Sequence, residues 1–116
     1  MFNRFAFLVR YHRLFDRIVP IDATEITIGR DAHCGLRLVH DCVSRAHARL
    51  LRTERGYAIQ DLGSHNRTFV NDRRIDEGHL LQEHDVVRIA PFSLQVFPDH
   101  ETAERAAAID DESTQS

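Results

Sequence analysis

Short apolar runs, broken every few residues by turn-forming ones, constrain this chain more than any other feature. Apolar residues alternate with polar ones, most clearly in Ala46-His47-Ala48-Arg49-Leu50 and Val86-Val87-Arg88-Ile89, and almost nowhere do they recur at helical spacing. The pattern predicts strands over 5–11, 14–20, 24–29, 36–39, 47–53, 56–61, 68–71, 73–75, 85–90 and 93–98. Gly56, Gly63, Gly78 and the Asn71-Asp72 pair punctuate these strands at turns. Many short strands at close, regular spacing describe an all-β protein, an antiparallel β-sandwich. No internal repeat is visible.

At 116 residues the chain fits one domain with a single core. The pattern places that domain at 1–98. Residues 99–116 lack aromatics, carry one large apolar residue, Ile109, and turn acidic, so they are expected to form a flexible acidic tail or linker. The alanines within 102–109 suit a helix, but one too short to hold alone in water.

No apolar run approaches the ~20 residues of a membrane span. The patch Phe5–Val9 is bracketed by Arg4 and Arg10 and reads as a strand, not a secretion signal. A net charge of −3 argues against a nucleic-acid surface, which needs concentrated basic charge. Cys34 and Cys42 lie eight positions apart, outside CxxC or disulfide-framework spacing, and free thiols fit a cytoplasmic protein.

Three motifs carry chemistry. Gly29-Arg30 closes an apolar strand; Ser44-Arg45-Ala46-His47 follows; then comes Asp61-Leu62-Gly63-Ser64-His65-Asn66-Arg67-Thr68-Phe69-Val70-Asn71. They set a guanidinium, hydroxyls and an amide on short loops between strands, which is phosphate-reading chemistry. Ser44 and His47 also invite a nucleophile–base reading, but no oriented acid or oxyanion hole accompanies them, so no catalytic residue is assigned. His33, Cys34, His40, Cys42 and His47 are metal-ligand types, yet their spacing is not that of a structural zinc site, and neither metal nor cofactor is expected.

In order and spacing these motifs resemble the forkhead-associated (FHA) domain, over roughly residues 5–98. Its members carry Gly-Arg at a strand end, then Ser-x-x-His, then a loop like Asp-x-x-Ser-x-Asn-Gly-Thr-x-x-Asn. The resemblance implies a β-sandwich of about eleven strands whose apical loops bind phosphothreonine peptides. It implies that Arg30 is the principal phosphate ligand, that Ser44 donates to a phosphate oxygen, and that Ser64, His65 and Asn66 form the second binding loop, with Asn66 on the peptide main chain. Arg45 either lies beside the same anion or points to solvent. Gly29, His47, Thr68 and Asn71 are expected to support the site. The implied role is non-enzymatic: a signalling module recruiting partners phosphorylated by a Ser/Thr kinase, the kinase or its substrate among them. The main departure is Arg67, where the family has glycine. It keeps open a second class of function, a phosphate-independent structural or oligomerisation domain of the same fold.

Overall fold

Alternation along β1 (Phe5–Tyr11) sends Phe5, Phe7 and Val9 into one interior, where each is at most 2% exposed, and turns Ala6 and Leu8 to the opposite face. The computed structural model describes residues 4–115, with side chains described to Ile109. Residues 1–3 of the expected domain and Ser116 of the expected tail lie outside the described residues. Ten further strands follow β1: β2 (Leu14–Ile21), β3 (Glu25–Gly29), β4 (Leu36–Arg37), β5 (Ala48–Thr53), β6 (Gly56–Asp61), β7 (Thr68–Val70), β8 (Arg73–Ile75), β9 (His79–Leu80), β10 (Val86–Ile89) and β11 (Phe92–Phe97). Helix α1 (His100–Gln115) comes last.

The strands form two sheets, ordered β2-β1-β11-β10-β7-β8 and β4-β3-β5-β6-β9. Neighbours are antiparallel, except that β3 and β4 run parallel. Between the sheets Phe7, Ile28, Leu50, Ile59, Val87 and Leu94 lose all solvent contact. Tyr57 joins them and keeps its hydroxyl satisfied by donating to the Ala23 carbonyl at 2.7 Å. The fold is thus the antiparallel-dominated β-sandwich that the alternation predicts. The ten expected strands are present with ends within two residues. The eleventh, β9, has only His79 and Leu80, both exposed, and so offers no alternation to read.

Over the described part of the segment expected as a tail or linker, His100–Gln115 are helical. Asp99 caps α1: its carboxylate accepts the Thr102 amide at 2.8 Å and the Thr102 hydroxyl at 2.9 Å. Those bonds hold the Asp99 carboxyl below its ordinary value. Ala103 and Ala107, one helical turn apart, then pack on Ala6, Leu8 and Phe97 on the outer face of the larger sheet. Tertiary contact, not intrinsic propensity, makes the segment helical. Its buried stripe is alanine, which lets the helix lie close to the sheet but hardly registers as an apolar face.

Candidate functional site

β3 ends where Gly29 meets the β4–β5 loop. A Cβ at this position would lie 2.2 Å from the Arg45 carbonyl oxygen, so glycine alone permits the close approach. Two backbone bonds use it: the Arg30 amide donates to the Ser44 carbonyl at 3.0 Å, and the Asp31 amide to the Arg45 carbonyl at 3.2 Å. The Arg30 side chain is aimed by its own Nε, which donates to the Val43 carbonyl at 3.0 Å. Its two terminal nitrogens have no protein partner among the described residues. A guanidinium held at one edge in this way presents the other as a two-pronged donor.

His47 is fully buried and ties the two loops together. Its Nδ1 accepts the Ser44 amide at 3.1 Å and its Nε2 meets the Arg67 carbonyl at 2.8 Å. A carbonyl only accepts, so the ring proton sits on Nε2 and the imidazole is neutral in this arrangement. The contact to Ser44 is through the amide and not the hydroxyl, so the pair is a structural link and not a nucleophile with its base. The Ser44 hydroxyl oxygen accepts the His65 amide at 3.0 Å, which leaves its own O–H to donate elsewhere. Asn66 adds a third link by donating from Nδ2 to the Cys42 carbonyl at 2.8 Å. Its side-chain carbonyl stays available as an acceptor.

Asp61 organises the β6–β7 loop, a role the sequence reading did not assign. Its carboxylate accepts the amides of Gly63 and Ser64 at 2.9 and 3.0 Å, the Ser64 hydroxyl at 2.5 Å and the Thr68 hydroxyl at 2.8 Å. The signal was present in the motif, since an aspartate two and three residues before the amides it captures is an Asx turn. Ser64, expected in the binding loop, is 1% exposed with its hydroxyl committed to Asp61. Its hydroxyl proton is thus directed into the loop, toward the Asp61 carboxylate. Thr68, fully buried, donates to the same carboxylate from the other end of the loop. Asn71 braces the next turn: with Asp72 it forms a two-residue hairpin at φ 49° and 67°, and it exchanges side-chain bonds with Asp85 and the Val86 amide. Arg45, His65 and Asn66 are exposed on the same end of the sandwich as Arg30 and Ser44.

Arg67 adopts φ 71°, the left-handed region that glycine enters freely. Holding arginine there costs about 1 kcal/mol, partly offset by the bond from Arg67 Nη1 to the Ser64 carbonyl at 3.0 Å. We expect Arg67→Gly to stabilise the fold by about 0.5 kcal/mol while weakening binding of acidic ligands. A denaturant titration checks the first half, and a midpoint below that of the wild type would refute the strain.

Of the thiol and imidazole groups weighed for a metal, those of Cys34, His40 and His47 are engaged with backbone. Cys34 Sγ donates to the Arg45 carbonyl at 3.2 Å, and His40 Nδ1 accepts the Cys42 amide at 3.0 Å. Burial pushes the Cys34 thiol up, so it stays protonated. Among the described residues no group of three or more His, Cys, Asp or Glu is placed to hold a metal ion. The site is an array of oriented donors with Arg30 and Ser44 pinned, while the exposed Arg45 side chain lines a hollow with Asp31, His33 and Cys34.

A model of the FHA domain matches residues 26–90. Among solved structures, Mycobacterium tuberculosis EmbR in complex with a low-affinity phosphopeptide is 29% identical with a TM-score of 0.72, over 81% of this chain and 24% of that one. The chain thus spans about a quarter of EmbR. The Slr1951 protein of Synechocystis is 25% identical with a TM-score of 0.70, over 84% of this chain and 97% of that one. The FHA domain of the CT664 protein of Chlamydia trachomatis has the same fold at 24% identity, with a TM-score of 0.73, over 81% and 96%. A search of the curated proteins finds no match.

Proposed function

The chain belongs to the FHA domain family, and from that premise we propose that it is a non-catalytic module that captures phosphothreonine peptides on Arg30 and Ser44, recruiting partners phosphorylated by a Ser/Thr kinase. One observation carries the reading: Arg30 and Ser44 each spend part of their hydrogen-bonding capacity on the protein and keep their remaining donors uncommitted, side by side. A phosphate dianion takes the two-pronged Arg30 fork and the Ser44 hydroxyl together, and such charge-assisted bonds are the strong ones. Arg45, exposed and next to Ser44 in the chain, adds positive charge to this end of the sandwich, and His65 lies next to the Ser44 hydroxyl through its amide. Asn66 accepts a peptide main-chain amide through its Oδ1. The phosphopeptide held by EmbR supports a ligand of this class.

The binding logic is mass action: the kinase adds the charge, and the preformed loops accept it without refolding. The Arg30 contacts are worth ~3 kcal/mol net, so Arg30→Ala should weaken a phosphothreonine peptide about a hundredfold and leave the unphosphorylated peptide unchanged. Calorimetric titration with phosphothreonine, phosphoserine and unphosphorylated peptides tests this. Equal affinity for the phosphorylated and unphosphorylated forms would instead assign the fold a phosphate-independent structural role.

A further inference from the structure

Four exposed apolar side chains meet in one groove beside the phosphate site. Leu14 is 66% exposed, Val39 64%, Phe15 46% and Tyr11 37%, and Arg17 and Arg37 rim the groove they line. Apolar side chains gathered this way on a surface mark a contact site. The groove adjoins the recognition loops at two points. Arg37 stands opposite Gly29 in the β3–β4 pair, and its Nε donates to the Arg30 carbonyl at 2.9 Å. On the other flank the Tyr11 ring lies 6.1 Å from that of His40. His40 opens the turn whose Cys42 and Val43 carbonyls position Asn66 and Arg30.

Resting on the phosphothreonine reading, we propose that this groove holds a second anchor of the same phosphorylated chain: an aliphatic or aromatic side chain flanked by acidic residues. Charge chooses this occupant. Arg17 donates to the Arg37 carbonyl and pairs with Asp16 at 2.8 Å, so the rim carries two guanidiniums against one carboxylate. A second copy seated by twofold symmetry brings the same arginine rim against itself, which is unfavourable. An acidic segment meets it with opposite sign. Arg37 adjoins Arg30 across one strand spacing of ~4.8 Å, so an extended chain leaving the phosphate reaches the groove within about five residues. Selectivity then comes from two sites read together, the phosphate at Arg30 and the apolar anchor at Leu14 and Val39.

The test is an oriented peptide library with phosphothreonine fixed and ten degenerate positions on either side, screened against wild-type protein and the Leu14→Ser/Val39→Ser double variant. Both residues are exposed and outside the phosphate site, so the melting temperature of the variant should match the wild type. The wild type should select an apolar residue beside Asp or Glu at one position about five residues from the phosphothreonine, and that peptide should bind about tenfold tighter than a short phosphothreonine peptide. The double variant should lose the tenfold gain and keep its affinity for the short peptide. Phosphate-dependent binding with no apolar selection, or with selection the double variant retains, overturns the groove and leaves the phosphate site standing. A wild-type dimer in sedimentation that the double variant dissociates assigns the groove to a second copy and overturns it as well. Absence of phosphate-dependent binding by wild-type protein removes the phosphate reading and this inference with it.

Discussion

Gly29→Ala should lower the melting temperature by about 12 °C and weaken phosphothreonine-peptide binding about tenfold even where the variant is folded. The added methyl carbon meets the Arg45 carbonyl oxygen at 2.2 Å and its carbon at 2.9 Å, both backbone atoms that no rotamer change can move aside. The β4–β5 loop has to part from β3. That stretches the bonds from the Arg30 and Asp31 amides to the Ser44 and Arg45 carbonyls, now 3.0 and 3.2 Å. Overpacking of this kind costs ~3 kcal/mol, and for a domain of this size each kcal/mol is worth ~4 °C. The binding loss arises separately, because Arg30 directly follows the end of β3 and Ser44 lies on the loop. Separating them lets a phosphate satisfy one and not both, a loss of about one charge-assisted bond or ~1.4 kcal/mol. Scanning calorimetry and peptide titration at 10 °C measure the two effects. A variant melting within 2 °C of the wild type would mean that loop and strand part freely and that Gly29 is not what seats them.

The same residue shows how far the sequence is legible and where it stops. Gly29-Arg30 is visible as a motif, and so is the order Ser44, His47, Asp61, Asn66, because those positions are fixed by chemistry that few residue types can supply. The alternating strands are legible for a related reason: a two-sided sheet imprints its period on the chain. What escapes is whatever is made by backbone or by small side chains. The carbonyls of Cys42 and Val43, which aim Asn66 and Arg30, leave no trace in residue identity. Helix α1 docks through Ala103 and Ala107, whose burial follows from what lies beneath them on β1 and not from their own hydrophobicity. The direction of the Ser64 hydroxyl escapes for a different reason. A serine in a recognition motif is equally suited to face a ligand or to close an Asx turn, and only the Asp61 carboxylate at 2.5 Å decides between them. Arg67 was legible as a departure, but its consequence depends on a φ of 71° that no sequence states.

Asp61→Ala should destabilise the domain by ~3 kcal/mol and abolish phosphopeptide selectivity, because the binding loop is built around this one carboxylate. The Ser64 and Thr68 hydroxyls that donate to it are 1% and 0% exposed, so removing the acceptor leaves both buried without a partner and frees the Gly63 and Ser64 amides as well. The loop carries Asn66 and the Arg67 carbonyl that fixes His47, and through His47 it reaches Ser44. The effect of the substitution therefore crosses to the other loop. Acid titration separates this role from a purely packing one. Burial raises the Asp61 carboxyl, but the hydrogen bonds from the Ser64 and Thr68 hydroxyls and the Ser64 and Gly63 amides outweigh it, and the carboxyl lies below its ordinary value. A carboxyl lowered on folding binds its proton more readily in the unfolded chain. Its contribution is present in full above the unfolded value of ~3.9 and fades as pH falls through the lower folded value. Asp61→Asn keeps the shape without the charge, so its stability should fall less between pH 5 and 3 than that of the wild type. Asp31 and Asp99, also lowered by hydrogen bonds from backbone amides, titrate in both proteins and cancel from the comparison. Parallel acid profiles for the two proteins would show that the Asp61 charge holds nothing together, and the loop would then depend on its backbone path alone.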